Sequence, residues 1–158
     1  MPQRLSDVPL SQLAPETQGW NDGLGIELLS WIGCIGNFEQ AIAYGELFWP
    51  EFVESDGCIF FTGFREESYK DFMAQTGGER RAVEAVMNHR HILDLFSGSR
   101  GEPTRAQVVY LGRLLREIWT AKLQQDFPDR QIIVSFPEDT VGELLDFEIT
   151  IYQGHETD

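Results

Sequence analysis

Apolar residues in the segment 104–126 recur at steps of three and four: Val108, Leu111, Leu115, Ile118, Trp119 and Leu123. That period predicts a helix with one wide buried face. Thr104 precedes the run and Gln107 follows three residues later, the spacing of a capping box. Phe127-Pro128-Asp129 is expected to end it. Residues 37–49 repeat the pattern with Phe38, Ala41, Ile42, Gly45, Phe48 and Trp49. Asn37 and Gln40 stand in capping positions, and Pro50 stops the helix. The nearly continuous apolar run 25–35 predicts a short buried helix with Asp22 as a cap. A further helix is expected over 65–75, closed by Thr76-Gly77-Gly78, and a longer one over 79–96.

Period two replaces this pattern near the C-terminus. Phe147, Ile149 and Ile151 alternate with Glu148, Thr150 and Tyr152, which predicts a strand with one buried face. QIIVSF (131–136) and CIFFTGF (58–64) read as two more strands, and the latter is expected to join the C-terminal pair. Residues 137–145 connect that pair, with room for a helical turn. Helices followed by strands, without βαβ alternation, predict an α+β fold. About four or five helices should pack on a small, mainly antiparallel sheet of three or more strands. Residues 1–24, rich in proline and glycine, read as an irregular N-terminal arm before a single domain over 25–158.

Composition narrows the function classes. The 158 residues suit one domain, and 42% hydrophobic with 24% charged residues is ordinary for a globular chain. No run of about 18 apolar residues exists, so no membrane span is expected. The formal net charge of −14 is unevenly placed. Residues 1–64 hold nine acids and only Arg4, residues 65–130 are nearly balanced, and residues 131–158 hold seven acids and no Lys or Arg. Such a field repels nucleic acid and anionic membrane and attracts a basic protein. Cys34 and Cys58 sit apart among apolar residues, which predicts buried free thiols and a cytoplasmic location.

Candidate chemistry is sparse. His89-Arg90-His91 resembles a metal-binding pair, and its geometry depends on the element that carries it. On a strand, residues i and i+2 share a face; on a helix they point about 200° apart. The helix predicted over 79–96 therefore splits the pair, and no metal site or cofactor is expected. His89 falls in the apolar stripe Ala82, Val86, His89, Leu93, Phe96 as a core residue. His91 stands three residues before Asp94, which makes this carboxylate–imidazole pair the candidate for acid–base catalysis. SGSRG (97–101), with Arg100, offers a weak anion loop ahead of a helix. Arg113 and Arg116 form a basic strip that suits either an anionic ligand or an acidic segment of the same chain.

Residues 38–64 carry 8 of the 19 aromatics and five acids, with no lysine or arginine. Aromatic faces beside carboxylates suit a cationic partner, so Trp49, Glu51, Phe52, Glu54 and Asp56 are the candidate interaction residues. The leading expectation is a small acidic interaction or regulatory module, of inhibitor or immunity type, that engages a basic protein. The alternatives are a small enzyme or ligand-binding domain using His91 and Asp94, or Arg113 and Arg116, and a homo-oligomeric structural subunit.

Overall fold

The computed structural model describes residues 9–98 and 101–154 and shows an α+β fold. The chain forms two compact units, residues 1–47 and 48–158.

In the first unit, α1 (Leu10–Leu13) and a 3-10 turn (Pro15–Gly19) precede α2 (Leu28–Ile35), and α3 (Phe38–Phe48) follows. Asn37 caps α3 as its position predicts: Oδ1 accepts from the amides of Glu39 (2.8 Å) and Gln40 (3.2 Å). Of the run 25–35, residues 28–35 are helical, and that helix is not buried. Neither α2 nor α3 buries a single residue, and α2 has no side-chain cap. Apolar composition alone reports a preference for burial, and within one chain nothing obliges a partner surface to exist.

The second unit begins with a hairpin of β1 (Phe52–Ser55) and β2 (Cys58–Phe61). Asp56 and Gly57 form its two-residue turn, both at positive φ (51° and 76°). That is the geometry Asp-Gly selects, because its twist matches the flanking strands. β2 therefore pairs with its sequence neighbour and not with the C-terminal strands, contrary to expectation. The polar stretch Glu54–Gly57 is half strand and half turn.

α4 (Glu66–Gln75), α5 (Arg80–Met87), β3 (Arg90–His91), α6 (Ile92–Leu95), α7 (Arg105–Asp126), β4 (Ile132–Ser135) and β5 (Glu148–Gln153) complete the fold. A 3-10 turn at Leu144–Asp146 lies in the connection before β5. The second sheet is antiparallel throughout, in the order β3-β5-β4. Phe147, Ile149 and Ile151 are fully buried, so the alternation along β5 has the predicted sense. Thr104 and Gln107 close the predicted capping box of α7. That helix buries Val108, Leu115, Trp119 and Leu123, and Phe61 of β2 meets Trp119 edge-on at 5.1 Å. Cys58, Phe60 and Val83 form a second cluster beneath α4 and α5.

Two buried polar side chains tie the hairpin to the second sheet. Glu84 of α5 accepts from Ile59 N and Gln153 N, both at 2.8 Å, and from Gln153 Nε2 at 2.6 Å. Asn88 Nδ2 donates to Ile59 O (2.8 Å) and Ile151 O (3.1 Å), while its Oδ1 accepts from Phe61 N (3.3 Å). Buried polar groups require such partners, and here they supply the cross-links.

Asn88 also overturns the single helix predicted over 79–96. Its side chain satisfies backbone groups of two different strands, so the chain leaves α5 there and runs extended through Arg90 and His91. Local propensity favoured continuing the helix; three hydrogen bonds to residues distant in sequence oppose it.

Candidate functional site

β3 pairs Arg90 with Ile149 and places His91 directly opposite Glu148 on β5. Directly opposed residues on antiparallel strands share a face, with Cβ atoms about 5 Å apart. His89, two residues before His91 in extended chain, faces the same way. Arg90 turns to the other side, where its guanidinium lies 4.9 Å from the centroid of the Phe61 ring and donates to His89 O and Met87 O. Burial there lowers the Arg90 pKa from its ordinary value.

The result is a compact group. His89 Nε2 and His91 Nε2 are 3.2 Å apart, and Glu148 Oε1 lies 3.5 Å from His89 Nε2 and 3.7 Å from His91 Nδ1. His91 Nδ1 also meets the Leu145 carbonyl at 2.7 Å. A carbonyl only accepts, so Nδ1 bears the proton and the lone pair of neutral His91 sits on Nε2. The side chains are 34%, 28% and 47% exposed respectively, so the group opens to solvent. His89 is thus not the core residue predicted for it. Asp94 lies exposed in the first turn of α6, while the contacts of His91 run to His89, Glu148 and Leu145.

Arg113 and Arg116 converge on one carboxylate. Glu138 Oε2 lies 2.7 Å from Arg113 Nη2, and its Oε1 lies 2.6 Å from Arg116 Nη2. Burial pushes the Glu138 pKa up, but the hydrogen bonds from both arginines outweigh it and hold the carboxyl below its ordinary range. An acidic segment after Arg130 thus engages the strip. Arg100 lies outside the described residues.

The candidate interaction residues lie on and just before the β1–β2 hairpin, each with its own contacts. Trp49 is half exposed, with Lys122 Nζ 5.7 Å from its ring centroid. Phe52 stacks on Phe61 at 4.9 Å. Glu54 pairs with Arg130 at 2.6 Å, and Asp56 accepts from Tyr69 OH at 2.5 Å with Arg80 3.8 Å away. Glu51 is exposed, and its carbonyl accepts from Thr62 N and Oγ1.

Larger apolar exposure lies in the first unit, in part along the run 25–35 that was expected to be buried. Leu24 and Phe38 are each 91% exposed, and Leu29, Ile32, Ile35 and Ile42 are exposed as well. On α2, Leu29, Ile32 and Ile35 follow at steps of three; on α3, Phe38 and Ile42 are four apart and share a face. The absence of any lysine or arginine from residues 5–64 was legible in the sequence. So was the His-x-His spacing, but Glu148 had no local signal linking it to the pair.

Among the described residues no helix is long and apolar enough to cross a membrane. Comparison of the chain with protein-family models, curated proteins and solved structures finds no match.

Proposed function

We propose that the protein is an acidic interaction module whose α2 and α3 dock a partner with an apolar strip edged by lysine and arginine. One observation carries the reading: Leu24, Leu29, Ile32, Ile35, Phe38 and Ile42 are exposed on a unit with no lysine or arginine beyond Arg4. Single exposed apolar residues are ordinary, but two consecutive helices without a buried residue leave several large apolar side chains uncovered. Covering it gains about 25 cal/mol per Å² of apolar area removed from water. Asp22, Glu27, Glu39 and Glu46 select for cations at the rim and steer their approach. A second copy of the chain would bring the same acids face to face, which favours a basic partner over self-association. Both cysteines are free, which suits a reducing cytoplasm.

The test uses two amphipathic probe peptides, one of leucine and lysine, the other of leucine and glutamate. The basic peptide should bind the full chain, weaken as salt rises, and lose at least tenfold in affinity against Phe38→Asp or Ile42→Asp. Equal binding of both peptides, or of neither, overturns the reading. So does a concentration-independent dimer in light scattering that Ile42→Asp dissociates, because the face would then be covered by a second copy.

A further inference from the structure

We propose that His89, His91 and Glu148 form a binding site for a divalent first-row transition ion of the zinc class. Its residues belong to the second unit and those of the docking helices to the first, and the fate of one proposal does not decide the other.

The distances match the chemistry. Zinc binds imidazole nitrogen at about 2.0–2.1 Å, and two such ligands at a tetrahedral angle sit about 3.3 Å apart. The two Nε2 atoms are 3.2 Å apart. Glu148 Oε1 is 3.5 Å from His89 Nε2, and one ligand atom from each residue can be chosen so that all three lie within 4.8 Å of one another. A small closure of the carboxylate brings a third donor into the first coordination sphere.

The tautomer is also right. The Leu145 carbonyl holds the proton of His91 on Nδ1 and leaves Nε2 with its lone pair directed at the group. Metal-ligating histidines commonly donate their other ring nitrogen in this way, which fixes the ring and raises its basicity. The scaffold is stiff: β3 pairs with β5, and buried Asn88 anchors the residue before His89 to two strands. His91 and Glu148 sit on these paired strands, which hold their spacing better than loops do, and His89 directly precedes β3.

Two imidazoles and one carboxylate suit zinc, cobalt(II), nickel(II) or copper(II) over calcium or magnesium, which prefer oxygen. Three protein donors leave a coordination position for water, and the partial exposure of all three side chains lets the ion enter. The chain's net charge of −14 raises the local cation concentration.

The competing account is an imidazolium–carboxylate contact with no ion. Zinc titrated into the full chain by calorimetry separates the two, with magnesium as the control. One zinc per chain, no magnesium response, and at least tenfold weaker binding in His89→Ala and Glu148→Gln are expected. Cobalt(II) should give the intense visible absorption of a tetrahedral site. Loss of folding in either variant is covered by nitrogen-15 spectra of the unaltered chain: zinc should shift Nε2 of His89 and His91. Absence of a one-to-one zinc complex overturns the proposal. So does zinc binding that perturbs neither His89 nor His91.

Discussion

The amide of Asn88 donates to the carbonyl of Ile151 at 3.1 Å, joining residues 63 apart in the chain. The same side chain bonds Ile59 O and Phe61 N, so one residue ends α5, bridges the hairpin to β5 and sets the direction of His89 and His91. Asn88→Ala strands three buried or half-buried backbone groups. It should lower stability by about 3 kcal/mol, since each unsatisfied buried group costs about 1–3 kcal/mol. Urea unfolding measures it, and a loss below about 0.5 kcal/mol would show that the three bonds carry little of the fold.

Glu138 should make stability acid-sensitive. Its folded pKa is depressed below 4.5, with the two arginine hydrogen bonds outweighing burial. A carboxyl of this kind contributes fully above its unfolded pKa, and the contribution disappears as pH falls through the folded value. The stability difference between the wild type and Glu138→Gln should be about 1–2 kcal/mol at neutral pH. It should shrink as pH falls below 4.5 and through the depressed folded value. Melting temperatures of both proteins across that range check the sign; a difference that grows in acid contradicts it.

Gly112 lies buried in α7 against the ring of Phe136, and an added Cβ would come within 2.1 Å of the ring atom Cζ. Alanine gains about 1 kcal/mol of helix propensity over glycine, while overpacking a core costs about 1–3 kcal/mol. Because the clash is with a buried aromatic ring rather than a flexible chain end, the second effect should win. Gly112→Ala is expected to lower the melting temperature, and Gly112→Ala combined with Phe136→Leu should recover part of the loss.

The two thiols should differ sharply. Burial, and next the charge of Glu84, push the Cys58 pKa up to about 11, whereas Cys34 is exposed. The thiolate is the reactive form, so a maleimide near neutral pH should label Cys34 and spare Cys58 until the protein unfolds. A raised thiol pKa stabilises the fold below the ordinary value of 9.0, and that stabilisation fades as pH rises toward 11. Peptide mapping after brief labelling checks the order; modification of Cys58 in the native state at a comparable rate contradicts it.

Sequence alone determined the elements whose signals are local. The capping box at Thr104, the Asn37 cap, the alternation along β5 and the α+β class all rest on residues within a few positions of one another. The Asp56-Gly57 hairpin was equally local, a two-residue turn signal that composition-based reading passed over. Tertiary structure decided the rest. Asn88 ended a helix that the apolar periodicity extended to Phe96, because its partners Ile59, Phe61 and Ile151 are supplied by the fold. That one break turned His89 and His91 from opposite sides of a helix to one side of a strand and set Glu148 across from them. In α2 the same limit has the opposite sense. Hydrophobicity states what a residue prefers, while burial is decided by packing, and Leu29 and Ile32 stay exposed.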